Sequence, residues 1–236
     1  MIQSDDCESK LLDFVNKEIA LCSKVAEKFP KNYYAWTHRR YLWSSCILLH
    51  LHKDKIQRLL QQEFEALQAW LEQHISDHSA VHYLSQVLEL QLLQFSNDEY
   101  LKVAQTSLDL ARSLLETHPN HESLWILRRL TVQLLFQHAA KQTISVRDAI
   151  HSLLESHVEE VWNTLHSDNG YSSSSSENGA TLVYAWSFLV WCMSQLGLGG
   201  PERRKKLQDG MLFLRSDGHV YHQMWKIQGE EILLGK

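Results

Sequence analysis

Trp36, Val81 and Trp125 stand 45 and 44 residues apart, each inside a similar short phrase: Y-Y-A-W-T-H-R-R, H-S-A-V-H-Y-L-S and E-S-L-W-I-L-R-R. Trp186, in V-Y-A-W-S-F-L-V, follows 61 residues after Trp125, and setting aside a Ser-rich insertion of about 13 residues brings that interval to about 48. A period of roughly 40 to 50 residues means that each unit is one supersecondary element, which buries its apolar face only against its neighbours. The recurrence therefore confines the chain to a repeat architecture.

The units are helical. Only 9 Gly and 3 Pro occur among 236 residues, and runs of alternating β-branched residues are absent. Leu11, Leu12, Val15, Ile19, Leu21, Cys22, Val25, Ala26 and Phe29 follow helical spacing. They predict a first helix over 7–29, with Ser4, Asp5 or Asp6 as its cap and Pro30 as its stop, because the residue before a proline is pushed out of the α region. A second helix is expected from Tyr33 to His50, with Ala35, Trp36, Tyr41, Leu42 and Ile47 to Leu49 on its apolar face. Further helices are expected from Asp54 to Gln73, from Asp77 or Ser79 to Phe95, and, after a break at Ser96, Asn97 and Asp98, up to Pro119. Others run from Glu122 to His138, from a capping box at Ser145 and Asp148 to Leu165, from Thr181 to Gln195, from Glu202 to Leu214 and from His219 to Leu234. Ten helices make about five antiparallel hairpins. The expected fold is all-α, a right-handed α-α superhelix (solenoid) forming a single repeat domain over 1–236. Its repeat motifs lie near 30–43, 77–89, 119–131 and 182–193. Residues 167–179, with five consecutive serines, read as a disordered loop, and the hairpin with Trp225 reads as an atypical cap.

The formal net charge of -5 argues against nucleic acid as a partner. No apolar run reaches the roughly 18 residues of a spanning helix, so no membrane insertion is expected, and the N-terminus lacks a secretory pattern. Cys7, Cys22, Cys46 and Cys192 are scattered, with no C-x-x-C pair, and read as reduced thiols of a cytoplasmic protein, buried as small hydrophobes. His74, His78 and His82 would share a face only if one helix ran through Ser76 and Asp77, and no Cys or Glu completes a set, so no metal site is expected. His50 and His52 would diverge on a helix. The absence of G-x-S-x-G, of a Gly-rich phosphate loop and of H-E-x-x-H leaves independent catalysis without support.

The wording of the copies is more specific than helical periodicity. Pro30 to Arg40, P-K-N-Y-Y-A-W-T-H-R-R, resembles the protein prenyltransferase α-subunit repeat, whose units read approximately P-K-N-Y-x-x-W-x-H-R-R. His118 to Trp125 with Arg128 and Arg129 is similar to a later unit of that family. The other two copies are degenerate: Val81 replaces Trp, and Phe188 and Leu189 replace the His-Arg pair. The resemblance covers about two thirds of the chain.

It implies a non-autonomous α subunit that wraps a separate β subunit. That partner would hold the zinc, the isoprenoid pocket and most of the substrate peptide site, so this chain would carry no cofactor and would not be catalytic alone. Carried over by position, Lys31, Asn32, Tyr33 and Tyr34 form the rim segment facing the diphosphate, the substrate or the β subunit, Tyr34 standing where some relatives carry His. Lys31 has two readings, a contact to diphosphate or substrate and a solvated turn lysine that pairs with the β subunit. Trp36, His38, Arg39, Trp125, Arg128 and Trp186 are expected to hold the repeats together. The resemblance further points to geranylgeranyl transfer of a type III kind, with the β subunit of Rab geranylgeranyl transferase as partner and a protein with a C-terminal cysteine as acceptor. The order of the copies matches the middle of a longer α subunit, which leads to the expectation that the stripe over 11–29 lies open. The alternative is a helical-repeat scaffold that binds a protein partner without a role in prenylation. Tetratricopeptide arrays repeat every 34 residues or so with W-x-x-L-G-x-x-Y, which is missing here.

Overall fold

The computed structural model describes residues 2–166, 176–196 and 201–216, and every regular element among them is helical. Helix α1 (Ile2–Lys28) begins earlier than its apolar stripe. Ser4, Asp5 and Asp6 thus lie within the helix rather than ahead of it. Asp6 pairs with Lys10, one turn further along, at 2.6 Å. The stripe expected to lie open does not do so as a whole: Val15, Cys22 and Ala26 are buried, and the apolar side chains left open on α1 are Phe14, Leu21 and Phe29. The helix stops at Lys28, just short of Pro30.

The second expected helix is present to His50 but is not uniform. It consists of α2 (Tyr33–Leu42), a π-helical turn (Trp43–Ile47) and α3 (Leu48–His50). Leu42, Trp43 and Ile47 are buried, whereas Tyr41 and Leu49, expected on the same face, are exposed. At about 100° per residue, Tyr41 stands about 140° around the helix from Trp36, and Leu49 about 160° from Ile47.

Helix α4 (Lys53–Gln73) buries Ile56, Leu60, Phe64, Leu67 and Leu71, and with them Glu63. Helix α5 (His78–Gln94) is capped by Asp77, whose carboxylate accepts the Ser79 and Ala80 N–H groups at 3.0 Å each. Helix α6 (Asn97–Thr117) starts inside the expected break. The Ser96 N–H donates to the Glu99 carboxylate at 2.9 Å and the Glu99 N–H to the Ser96 hydroxyl at 3.4 Å, a reciprocal capping box. Those bonds hold the Glu99 carboxyl below the usual range. Helix α7 (Glu122–Ala139) runs as expected. Helix α8 (Ile144–His166) starts one residue before Ser145, so Ser145 and Asp148 are no capping box. The Thr143 carbonyl accepts the Arg147 N–H instead.

Helix α9 (Ser176–Leu196) takes in residues 176–179 of the expected loop, whose remainder, 167–175, lies outside the described residues. Helix α10 (Pro201–Ser216) opens on a proline, whose missing N–H has no intrahelical partner at that position in any case. The expected last helix over 219–234, with Trp225, also lies outside the described residues.

The chain forms two compact units, Met1–Leu114 with Ile126–Thr131, and Leu115–Trp125 with Val132–Lys236. In the first, α1 pairs with α2 and α4 with α5, and α2 lies against α5. In the second, α8 pairs with α9 and α9 with α10. Trp36, Val81 and Trp125 are each the fourth residue of their helix, α2, α5 and α7, so the 45- and 44-residue spacing is the spacing of equivalent helices. Trp186 departs from this register as the eleventh residue of α9.

Two of the four thiols depart from expectation: Cys22 and Cys192 are buried, but Cys7 is exposed and Cys46 half-buried, and all four are free. Burial pushes the Cys22 thiol up. Among the described residues no helix is long and apolar enough to cross a membrane.

Candidate functional site

The first hairpin turn is built by three residues with different tasks. Pro30 ends α1. Lys31 then adopts φ 62°, a left-handed conformation that costs a side-chain-bearing residue about 1 kcal/mol. Asn32 is extended, and its carboxamide oxygen accepts the N–H groups of Tyr34 at 3.0 Å and Ala35 at 3.3 Å. The Ser79 hydroxyl of the next hairpin donates to the Lys31 carbonyl at 3.4 Å.

The consequence is an exposed rim. Tyr33 and Tyr34 are 63% and 82% exposed and meet edge to face, with ring centroids 6.0 Å apart, beside the exposed Lys31 side chain. All four rim residues therefore come together. Asn32 is the exception in availability, because its side-chain oxygen is used to start α2. The others offer an ammonium and two phenols at a helix N-terminus whose first turn contains no acidic residue.

Beneath the rim lies a buried polar network that joins the first two hairpins. The Arg39 guanidinium grips Glu63 through Nε at 2.5 Å and Nη2 at 2.9 Å, while Nη1 donates to the Ser23 hydroxyl at 2.8 Å. The Tyr83 hydroxyl donates to the same carboxylate at 2.6 Å and accepts the Trp43 indole N–H at 2.9 Å. Arg39 and Glu63 are each 5% exposed, so their charges are nearly out of water. Burial works against the Arg39 charge, but the Glu63 carboxylate outweighs it and raises the guanidinium above its ordinary value. Tyr83 is pushed well above the usual phenol range by burial and by the Glu63 charge.

Aromatic rings wall this network. Trp36 meets Trp70 edge to face at 5.3 Å and lies 5.5 Å from Tyr83, with the Arg39 guanidinium 5.6 Å from the Trp36 ring. The Trp70 indole donates to Asp77 at 3.2 Å, so one carboxylate both caps α5 and fixes the tryptophan below the rim. His38 bonds within its own hairpin, to Glu18 of α1 at 2.9 Å, while Arg39 is the residue that bridges hairpins.

Trp125 donates its indole N–H to the Pro119 carbonyl at 2.9 Å and packs on Phe188 at 6.0 Å, and Arg128 is buried. Trp186 is buried against Trp162, 5.6 Å away edge to face. Gly210 of α10 lies so close to Trp186 that an added Cβ would stand 2.7 Å from its ring. His74 ends α4, stacks on Trp70 at 3.9 Å and reaches Glu27 at 3.3 Å, while His78 and His82 belong to α5. Among the described residues no three His, Cys, Asp or Glu side chains gather as metal ligands.

Sequence reasoning missed Glu63, Tyr83 and Trp43. Glu63 interrupts a clean apolar stripe, and an acidic residue amid apolar ones, 24 positions from an arginine of the repeat phrase, was the available signal.

Two-helix units at intervals of 44 and 45 residues, with an aromatic or branched residue fixed at the fourth position of each second helix, define a helical-repeat protein. The protein prenyltransferase alpha subunit repeat matches residues 15–46, 60–91 and 104–135, at the same two intervals. The chain thus carries three copies of the protein prenyltransferase alpha subunit repeat. It is similar to "protein prenyltransferase alpha subunit repeat-containing protein 1" of Danio rerio, 26% identical over 52% of this chain and 34% of the relative. The protein 1-A of the same name from Xenopus laevis is 27% identical over 59% of this chain and 38% of the relative. The human protein 1 is 28% identical over 49% of this chain and 35% of the relative. The chain thus spans little more than a third of the length of the curated relatives it matches.

Proposed function

We propose that the chain serves as the non-autonomous α-type subunit of a heterodimeric protein prenyltransferase, presenting the Lys31–Tyr34 rim to a catalytic β subunit and its isoprenyl diphosphate. The observation that carries this reading is the strained, exposed Lys31. A left-handed lysine is held at the rim where glycine would fit without strain, and conformations of this kind concentrate at functional sites. The family match through three repeats adds independent support.

The chemistry asked of the pair is cysteine thioether formation. In this reading the zinc that activates the thiol belongs to the β subunit, and no step runs through it here. What this chain supplies is positive charge and hydrogen-bond donors. As the bond between the prenyl carbon and the diphosphate oxygen breaks, negative charge builds on the diphosphate, and an ammonium and a phenol held at fixed positions stabilise it. Lys31 and Tyr33 are assigned those roles, and Tyr34 is assigned to contact with the β subunit or the acceptor. Geranylgeranyl is the favoured isoprenoid, the Rab geranylgeranyl transferase β subunit the favoured partner, and a protein ending in cysteine the acceptor.

The test is transfer of labelled geranylgeranyl or farnesyl diphosphate to a cysteine acceptor by the chain mixed with candidate β subunits. Transfer that depends on the chain, and that falls on the order of tenfold or more in Lys31→Gly and Tyr33→Phe, is the expected result. Because glycine suits the backbone at position 31, Lys31→Gly removes the ammonium without a cost to folding, and unchanged transfer in that variant would remove Lys31 from the mechanism. Failure of every β subunit to bind the chain would leave a helical-repeat scaffold.

A further inference from the structure

One turn occurs twice in this chain, in two conformations. Pro30, Lys31 and Asn32, followed by α2 from Tyr33, correspond position by position to Pro119, Asn120 and His121, followed by α7 from Glu122. Trp36 and Trp125 each stand six residues after the proline, fourth in their helix. In the later turn the Trp125 indole N–H donates to the Pro119 carbonyl at 2.9 Å. In the earlier turn the Trp36 side chain is 3% exposed, and its indole N–H has no hydrogen-bond partner among the described residues. The backbones differ as well. Lys31 has φ 62°, whereas no other side-chain-bearing residue among those described has a positive φ, so Asn120 is not left-handed.

The two differences have one geometric cause. The ψ of Pro30 and the φ of Lys31 flank a single rigid peptide plane. Reversing the sign of that φ, while the chain on either side keeps its course, turns the plane over and points the Pro30 carbonyl the other way. A left-handed lysine and a buried, unpartnered N–H are each unfavourable, and here they occur together. What holds the left-handed turn lies on its other side. The Lys31 carbonyl accepts the Ser79 hydroxyl at 3.4 Å, and the Asn32 carboxamide oxygen caps α2, whereas His121 caps α7 with no side-chain bond.

We propose that the Pro30–Lys31 peptide is a two-state switch beneath the rim, with Trp36 as its positioning residue. In the state seen here Lys31 is left-handed, its side chain stands beside Tyr33 and Tyr34, and the indole N–H is unpartnered. In the other state the peptide is turned over, the Pro30 carbonyl takes the indole N–H as Pro119 takes that of Trp125, and the Lys31 side chain leaves the rim in a different direction. A ligand that grips Lys31 at the rim binds only the first state, and its binding offsets the strain and the orphaned N–H. The switch stands on the two turns alone. Its ligand, the diphosphate held by the β subunit, rests on the function proposed above.

The test compares Lys31→Gly with Lys31→Val in the full chain. Both lack the ammonium, but glycine adopts a positive φ freely and a β-branched residue resists it, so the comparison isolates the backbone. The tryptophan indoles are labelled with nitrogen-15, the Trp36 resonance is assigned through Trp36→Phe, and Trp125 serves as the bonded reference. In the wild type and in Lys31→Gly the Trp36 N–H resonance is expected to shift more steeply with temperature than that of Trp125, and in Lys31→Val to match it. A Trp36 resonance in Lys31→Val that behaves as in the wild type, or a Lys31→Val chain that fails to fold, would overturn the switch, because either result means that the turn has no second state. With a prenyltransferase β subunit and its isoprenyl diphosphate, Lys31→Val is expected to bind roughly tenfold or more weakly than Lys31→Gly, since apparent affinity falls with the fraction of chain in the competent state. Equal affinities would overturn the coupling of the switch to the rim. If the wild type binds no β subunit, the proposed function fails, and the indole resonances still decide whether the switch exists.

Discussion

Removing the Arg39 side chain is the most severe single perturbation that the network allows. In Arg39→Met the Glu63 carboxylate loses two charge-assisted bonds, at 2.5 and 2.9 Å, and keeps only the Tyr83 hydroxyl, in a site from which water is nearly excluded. Leaving one member of a buried ion pair unpaired costs roughly 3–5 kcal/mol. For a domain of this size each kcal/mol lowers the melting temperature by about 2–4 °C, so Tm should fall by roughly 6–20 °C. The cost lies in the stranded charge rather than in the loss of an attractive pair. The double variant Arg39→Met/Glu63→Leu, which strands neither charge, should therefore recover most of the stability, leaving a deficit of about 1 kcal/mol for the lost acceptor of Tyr83. Urea unfolding of the wild type, both single variants and the double variant gives the coupling energy directly. A loss below about 1 kcal/mol in Arg39→Met, or a double variant as unstable as the sum of the singles, would refute the reasoning.

Asp77→Ala removes the cap of α5 and the acceptor of the Trp70 indole together. It should cost about 2 kcal/mol in urea unfolding, whereas Asp77→Asn, which keeps an oxygen for the cap, should cost less than half of that. Gly210→Ala pushes a methyl to within 2.7 Å of the Trp186 ring and should lower Tm, and Trp186→Leu in the same chain should relieve the clash and restore part of the loss. Tyr83 and Tyr100 are both raised above the usual phenol range, by burial in each case and with the Glu63 charge added at Tyr83. A raised folded value means that their contribution to stability is intact below the unfolded phenol value near pH 10 and is lost as pH rises above it. Urea midpoints should therefore hold up to about pH 10 and then fall, and Tyr100→Phe should soften the fall.

The parts of this fold legible in the sequence were those governed by local rules. Pro30, Asp77 and the apolar spacing of α4 set helix boundaries to within a residue or two, and the Trp36–Val81–Trp125 spacing survives as an identical position in three helices. What failed depended on partners distant in sequence. Tyr41 and Leu49 look apolar and point outward, and no local pattern marks the π-helical turn that brings Trp43 and Ile47 inside. Glu63 reads as a surface residue on α4 until Arg39, 24 residues earlier, is placed against it. At the site, the rim was legible because its residues are contiguous. Asn32, however, had to be seen to be known as a cap, and the strain at Lys31 has no sequence signature in a residue other than glycine. The capping errors have one cause: Ser4 and Ser145 are good cap residues, and the helices simply begin one or more residues before them.

The central claim is that the Lys31–Tyr34 rim serves a prenyltransferase β subunit, and the most direct test is the mass of the complex. The chain is mixed with the β subunit of Rab geranylgeranyl transferase and measured by light scattering after size exclusion, with Tyr33→Ala/Tyr34→Ala as the comparison. The account predicts a one-to-one heterodimer for the wild type and a dissociation constant raised on the order of a hundredfold in the double variant, as expected when two exposed tyrosines become buried anchors. A heterodimer of unchanged affinity in the variant, or no heterodimer with this or any other prenyltransferase β subunit, would contradict it.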